Sequence, residues 1–174
     1  MKRIGFGVAV LAAVIVVSGC SDGVKELKFG ESADVSALEG GTIGVSVTRI
    51  DTGSNADLAS LENASKYAGQ TPYYVHYAVV KKTGDLREDG DYAAYDGDKQ
   101  LTHLSVQSAL DFSSPLDPKV HKFDKCTDQG SWAQTAPGQT LEDCMIFLAD
   151  PGTGRPTKIE LVSSGDHKTK VRWS

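Results

Sequence analysis

From residue 41 onward, apolar and polar positions mostly alternate with a period of two. In 43–47, branched apolar residues occupy every second position, which predicts a half-buried strand. In 73–80 both faces are fairly apolar, so this strand is expected in the centre of a sheet. Weaker alternation or a shared phase predicts further strands in 104–112, 144–148, 159–161 and 169–173.

Segment 56–67 departs from this alternation. Leu58, Leu61 and Ser65 follow helical spacing, which predicts one short helix or helical turn in an otherwise all-β chain. Several short strands with turn signals between them predict an antiparallel β-sandwich or barrel. The turn signals are Thr83-Gly84-Asp85, Asp96-Gly97-Asp98 and Pro151-Gly152-Thr153-Gly154.

A basic stripe marks the last predicted strand. Lys168, Lys170 and Arg172 face one way, and the residues between them face the other. The stripe could bind an anion, but the favoured interpretation is a solvated face of an edge strand. Lysines on such strands prevent edge-to-edge pairing.

The N-terminal residues have the pattern of an export signal. Lys2 and Arg3 precede an uncharged apolar run of 14 residues, Ile4–Val17, which is shorter than the roughly 20 that span a bilayer. Val17-Ser18-Gly19-Cys20 resembles the bacterial lipobox at all four positions. The resemblance implies a signal peptide over 1–19, cleavage before Cys20 and acylation, palmitate included, of that cysteine. An uncleaved anchor or a plain secretory signal is the alternative.

Export changes the charge of the chain. The full sequence has 18 basic and 23 acidic residues, and removal of 1–19 takes Lys2 and Arg3 with it. The remaining 155 residues carry a net charge of −7, which argues against nonspecific nucleic-acid binding. The membrane is then the expected partner through the lipid on Cys20, because two acyl chains suffice for stable anchoring.

The mature chain is expected to contain one domain. Residues 20–40 mix Ser, Asp, Gly, Glu and Lys with few apolar side chains, which predicts a lipidated cysteine followed by a flexible tether. The alternative is an early strand near 35–38. The folded domain is predicted over 41–174, a length sufficient for its own core.

Cys126 and Cys144 are predicted to form a disulfide, since an exported chain with two cysteines besides a lipidated one has an oxidising environment. No Cys-x-x-Cys motif is present, and no histidine has zinc-ligand spacing from either cysteine.

The mature chain resembles a family of immunoglobulin-like domains on bacterial, especially actinobacterial, envelope lipoproteins of mostly uncharacterised function. The resemblance implies an immunoglobulin-like β-sandwich at the cell surface and brings no catalytic residues. Lys81-Lys82-Thr83-Gly84 departs from it, because the family usually has Asn before this turn. The residues that carry it are Ala56-Asp57-Leu58, Thr71-Pro72-Tyr73-Tyr74-Val75 with the strand to Val80, Cys126, Pro137-Gly138, Cys144-Met145-Ile146-Phe147-Leu148 and Val171-Arg172-Trp173.

Two segments are candidate ligand sites, and each also has a simpler interpretation. Clustered carboxylates in 85–98 could hold Ca²⁺, but their spacing does not match an EF-hand, so acidic solvated turns are favoured and no metal is assigned. Gly152-Thr153-Gly154-Arg155 lacks the Gly-Lys-Ser/Thr ending of a phosphate loop and is interpreted as a hairpin loop. The acidic residues are Asp85, Glu88, Asp89, Asp91, Asp96 and Asp98.

Catalysis finds no support in the sequence. The four histidines are scattered singly and no serine has a G-x-S-x-G setting, so no catalytic residue and no cofactor is assigned. Trp132 is a possible binding residue, because an exposed aromatic could stack on a sugar or dock a protein. A core position for Trp132 is the favoured interpretation.

These observations predict a noncatalytic binding or accessory lipoprotein on the extracytoplasmic face of the membrane, with an envelope protein or glycan as partner. The alternatives are an envelope protein that binds metal or a small ligand, or a hydrolase with an unrecognised site.

Overall fold

The computed structural model describes residues 23–38, 40–61, 64–84, 90–105, 109–111, 119–121, 125–126 and 135–174. Its strands form two sheets and a separate two-stranded ribbon. The first sheet has the order β1-β12-β11-β5-β6, with β1 Lys25–Leu27, β5 Asp91–Asp96, β6 Lys99–Gln100, β11 Lys158–Val162 and β12 Thr169–Trp173. The second has the order β2-β3-β4-β10-β7, with β2 Ala33–Ser36, β3 Gly41–Thr52, β4 Thr71–Gly84, β7 Thr102–Leu104 and β10 Thr140–Ala149. The ribbon pairs β8 Ala109–Asp111 with β9 Lys119–His121.

The two sheets pack face to face because alternation gives each an apolar inner face. Ile43, Val45 and Val47 of β3 are fully buried, as predicted from their spacing. Trp173 of β12 is the largest fully buried side chain and stacks near Tyr92, with ring centroids 6.4 Å apart. The predicted all-β, immunoglobulin-like antiparallel sandwich is confirmed; one pair, β1 with β12, is parallel.

β4 lies at the centre of the second sheet, as the apolar character of both its faces predicts. It pairs with β3 on one side and with β10 on the other over ten consecutive residues of each strand. Its outward side chains include Tyr74 and His76, so this strand carries the middle of the second sheet's outer face.

The helical prediction is confirmed in a tighter form. Asn55–Ser60 and Ala64–Tyr67 are two short 3₁₀ helices. At the start of the first, Asp57 accepts hydrogen bonds from the backbone nitrogen (2.9 Å) and the hydroxyl (3.2 Å) of Ser54. These bonds hold the start of the first turn.

The prediction of a flexible tether over 20–40 is wrong for most of the described part of that range. β1 and β2 both belong to the sandwich, and Ala33, Val35 and Ala37 are buried in its core. Small apolar side chains at every second position are enough for β2 to form a strand, because pairing with β3 satisfies the hydrogen bonds of its backbone. The folded domain therefore begins near residue 25 and not at 41.

The edge-strand prediction for 169–173 is also wrong. β12 lies between β11 and β1, with Lys25 opposite Val171 and Leu27 opposite Trp173. The N-terminal segment covers the edge that the basic stripe was expected to protect.

The strand directions define two ends of the sandwich. We call one the helical end; it consists of the 3₁₀ helices, the 96–98 turn and the 150–157 loop. It is held together by hydrogen bonds from Gln70 to Asp150 (2.8 Å) and from the Gly154 nitrogen to Asp96 (2.7 Å). We call the other the N-terminal end; it consists of Val24, the 37–40 turn, Gly84 and the 163–168 turn.

Candidate functional site

A second apolar cluster covers part of the second sheet's outer face. Leu58 of the first 3₁₀ helix packs on Tyr74 of β4 and on Ile146 and Leu148 of β10, and all four side chains are buried. We call this group the outer cluster. It is separate from the core between the sheets, and partly buried side chains surround it: Leu61, Tyr67, Leu104, Cys126 and Cys144.

The predicted cysteine pair lies beside the outer cluster. Cys126 and Cys144 are joined by a disulfide with their Cα atoms 5.3 Å apart. Cys144 shares the outward phase of Ile146 and Leu148 on β10, so the bond ties residue 126 to this face. The sequence separation is 18 residues, and a closed loop of about that length removes roughly 3 kcal/mol of chain entropy from the unfolded state.

A buried tyrosine links the outer cluster to the helical end. The hydroxyl of Tyr74 donates a hydrogen bond to Asp57 Oδ2 at 2.9 Å. The hydrogen bond from the Ser54 backbone lowers the pKa of Asp57, and burial together with Asp57 raises the pKa of Tyr74. The pair therefore stays as a neutral phenol donating to a carboxylate. Gly53 packs closely beside it, since a Cβ there would lie 2.6 Å from the Tyr74 ring.

A polar trio lies next to this pair. The irregularity between Val47 and Arg49 in β3 brings Arg49 opposite His76 of β4. His76 Nε2 lies 3.1 Å from Asp51 Oδ2 and 3.3 Å from the Arg49 guanidinium, whose Nε donates to the same carboxylate oxygen at 3.0 Å. Burial and then the Arg49 charge lower the pKa of His76, so its imidazole is neutral at neutral pH.

The trio contains two of the residue types of a hydrolytic triad, a histidine and a carboxylate, but it lacks the geometry of one. In a triad, one histidine nitrogen faces the carboxylate and the other faces the nucleophile. Here both described contacts of His76 use Nε2, and half of the Asp51 side chain is exposed (52%). The geometry fits a neutral histidine held on a sheet surface.

A charged network covers the first sheet's outer face. Glu160 of β11 is nearly buried and accepts hydrogen bonds from Arg172 Nε (2.7 Å) and the Thr169 hydroxyl (3.0 Å). Arg172 also donates to Glu26 of β1 at 2.6 Å, while Lys158 lies 3.7 Å from Glu160. Burial acts to raise the pKa of Glu160, but these hydrogen bonds outweigh it and lower the pKa.

This network corrects the interpretation of the basic stripe. Arg172 is paired on both sides with carboxylates, and the Glu160 hydrogen bond raises its pKa. Its guanidinium therefore holds β1, β12 and β11 together. The predicted solvated face is wrong for Arg172, whereas the Lys168 side chain is exposed.

The other predicted site residues are placed as follows. Asp91 begins β5 and Asp98 lies in the exposed turn after it, while Asp96 accepts from the Gly154 backbone. Gly152–Gly154 lies in the loop from β10 of the second sheet to β11 of the first. The hairpin interpretation is therefore wrong, because these two strands belong to different sheets and do not pair. Cys20, Trp132, Asp85, Glu88 and Asp89 lie outside the described residues.

The described residues contain neither a metal-binding cluster nor a helix that could span a membrane. No group of three or more His, Cys, Asp or Glu side chains converges there to hold a metal ion. Among the same residues, no helix has the length and apolar character needed to cross a membrane.

Sequence reasoning missed the Tyr74–Asp57 pair and the Glu160–Arg172–Glu26 network. For the first, Ser54-Asn55-Ala56-Asp57 is a capping-box pattern that marks a helix start. For the second, the single acidic residue between Ile159 and Leu161 has the outward phase of a half-buried strand. Neither pattern identifies the partner residue, because Tyr74 is 17 positions from Asp57 and Arg172 is 146 positions from Glu26.

Comparisons with known proteins bear on the fold. No protein-family model matches the chain, and no curated protein matches it. The chain is similar to the crystal structure of MPT63, a secreted protein from Mycobacterium tuberculosis, with a TM-score of 0.58 and 14% sequence identity. The match covers 88% of this chain and 99% of that chain. At this identity the likeness shows a shared β-sandwich fold.

Proposed function

We propose that this chain is an exported lipoprotein, cleaved before Cys20 and acylated there, whose sandwich is a noncatalytic binding or accessory domain on the extracytoplasmic face of a membrane. The observation that carries the proposal is the use of the cysteines. The sequence has three, and the structure joins Cys126 to Cys144. Cys20 is thus left for the lipid, at the lipobox position.

The fold and its neighbour support the location. A disulfide that covers a sheet face is typical of domains that work in oxidising compartments. MPT63 is described as a secreted protein, which agrees with an extracytoplasmic sandwich of this shape.

The noncatalytic part of the proposal rests on how the polar groups are used. Glu160 and Asp57 each accept hydrogen bonds from neighbouring strands or turns, and so they serve the fold. His76 is held by Arg49 and Asp51 in the polar trio, whose described contacts include no nucleophile. Binding then falls to loops at the ends of the sandwich, where such folds commonly place interaction residues. An envelope protein or a glycan is the partner class we propose.

Acylation is tested by metabolic labelling with an alkyne fatty acid, comparing the wild type with Cys20→Ala. We expect label and membrane association in the wild type and neither in the variant. Mass spectrometry of the mature N-terminal peptide should show Cys20 as its first residue with added acyl mass. An unlabelled wild-type protein in the soluble fraction would overturn the lipoprotein proposal.

The accessory role is tested by crosslinking in cells followed by purification from membranes. A specific envelope protein enriched with the wild type and lost with Cys20→Ala would support it. A glycan array with the soluble domain provides the second arm. Absence of enrichment in both arms would contradict the binding role.

A further inference from the structure

The exposed large hydrophobic side chains of the described residues all lie in the N-terminal segment. They are Val24, Phe29 and Leu38, with 36%, 37% and 50% of their surface exposed. Leu38 is at the tip of a turn in which the Gly40 nitrogen donates to the Ala37 carbonyl at 3.1 Å. Two of these three side chains, Val24 and Leu38, lie at the same end of the sandwich. Apolar side chains exposed at one end of a domain indicate a contact surface more than scattered ones do.

The chain path brings Val24 and Leu38 to the same end. β1 runs toward a tight turn, in which the Glu31 nitrogen donates to the Lys28 carbonyl at 3.0 Å, and β2 then runs back along β3. Gly30 bonds to Val47, whereas the turn with Leu38 adjoins Gly41, six residues away along β3. At 3.2–3.4 Å per residue, Phe29 and Leu38 are therefore separated by about 20 Å along the strand direction.

Val24 begins this path at the N-terminal end. The next residue, Lys25, is opposite Val171, which is itself opposite Leu161. That level is one residue from the Val162–Asp91 pair, where β11 and β5 meet the N-terminal end. Leu38 reaches the same end beside the Gly41–Gly84 pair.

The length of chain before Val24 sets its distance from the anchor. Three residues lie between Cys20 and Val24, and the four steps from one Cα atom to the next span at most about 14 Å even when the chain is fully extended. Since β1 and β2 are parts of the sandwich, no long tether lifts the domain from the lipid.

We propose that the N-terminal end of the sandwich rests on the bilayer, with Leu38 and Val24 in contact with the lipid, and that the helical end points away from the membrane. The inference rests on the proposed acylation of Cys20 and adds an orientation to it. The occupant of this apolar surface is the lipid itself, because the anchor holds it within reach. The surfaces free to meet a partner are then those of the 3₁₀ helices and the 150–157 loop.

The test uses the mature acylated protein in vesicles of phosphatidylethanolamine and phosphatidylglycerol that contain a spin-labelled lipid quencher. A fluorophore is attached to a single added cysteine in Leu38→Cys, with Phe29→Cys as the matched control and Asp98→Cys at the helical end. All three positions are exposed, so labelling leaves the core intact, and circular dichroism checks the fold. The native thiols are in a disulfide or acylated, so the added cysteine alone reacts.

We expect the probe at 38 to be quenched severalfold more than the probe at 29, and the probe at 98 to be unquenched. Equal quenching at all three positions, or none at 38, would overturn the orientation. Vesicle flotation and the acyl mass at Cys20 are read on the same samples. A protein that floats with acylated Cys20 but an unquenched probe at 38 refutes the orientation alone, whereas an unacylated protein refutes the lipoprotein proposal.

Discussion

The outer faces of the two sheets carry different kinds of side chain. The first carries an ion network centred on Glu160 and Arg172, with Lys158 lying 4.4 Å above the Tyr95 ring. The second carries the apolar outer cluster beside a disulfide. Both inner faces are ordinary core.

This difference predicts which face contributes more to the free energy of unfolding. A partly exposed ion network contributes little net free energy, because desolvation offsets much of the attraction. Buried apolar groups and a disulfide contribute several kcal/mol between them. Variants on the second face should therefore cost more than variants on the first.

The largest effect is expected from removing the disulfide. The double variant Cys126→Ala/Cys144→Ala should lose about 3 kcal/mol of unfolding free energy, as the entropy of the unfolded chain is no longer restricted. Guanidinium denaturation of the unreduced proteins measures the difference. Reduction of the wild type is the matched control and should produce a similar loss; unchanged stability in both would contradict a structural role for the bond.

A somewhat smaller loss of unfolding free energy is expected from a variant in the outer cluster. Leu58→Ala should cost about 2–3 kcal/mol, because the side chain is 1% exposed and its removal leaves a cavity on the sheet. Urea denaturation provides the value, with Ala59→Gly, at an exposed position of the same helix, as the control for helix propensity. A loss no greater than that of the control would show that the cluster is loosely packed.

In the ion network, a single variant and a double variant should differ clearly in their effect on stability. Arg172→Ala should cost about 1–2 kcal/mol, since Glu160 keeps Thr169 and Lys158 but loses its strongest partner. Replacing both charges, as in Glu160→Leu/Arg172→Met, should be close to neutral because no buried charge is left unpaired. If the double variant is the less stable one, the network stabilises the sheet more than its chemistry predicts.

Acid should lower the free energy of unfolding in two pH ranges, an upper one set by His76 and a lower one to which Glu160 and Asp57 both contribute. The lowered pKa of His76 means that the unfolded chain binds the proton more readily, so stability falls as the pH drops below 6.5. The lowered pKa of Glu160 gives stability that is present above 4.5 and is lost as the pH falls through its folded value. Unfolding curves between pH 8 and pH 3 should show both steps, and His76→Gln should remove the upper one alone.

The smallest effect is expected at Arg49. Its ion pair with Asp51 is exposed on both sides, so Arg49→Ala should change stability by less than about 1 kcal/mol. The same variant should raise the pKa of His76 toward its ordinary value, because one of the charges that lowers it is gone. A titration of the His76 ring by NMR measures the shift, and a downward shift would contradict the assignment.

The strands of the core were predictable from sequence because their apolar residues are large and strictly alternating. Ile43, Val45 and Val47 leave little choice of face, and the apolar 73–80 segment indicates a central position. By contrast, β2 alternates only Ala33, Val35 and Ala37 with polar residues, and these small side chains were outweighed by a tether-like composition. Whether small residues are buried depends on the neighbouring strand, and the local sequence pattern does not identify that strand.

The polar groups of the candidate site were less predictable for a related reason. Arg172 is 146 positions from Glu26 in the sequence, and Tyr74 is 17 positions from Asp57. The types of side chain were visible, but their pairing depends on sheet order. The basic stripe was therefore mistaken for a solvated edge, when β1 returns to cover it.

The parallel pairing of β1 with β12 also constrains the order of folding. Lys25 finds its position only beside Val171, so the first sheet cannot be completed until nearly the whole domain has been synthesised. Contacts this distant in sequence close late and slow the search for the native state. Until then, the buried position of Trp173 against Tyr92 is also unfilled. A chain that assembles in this order has an incomplete first sheet until its last strand has been made.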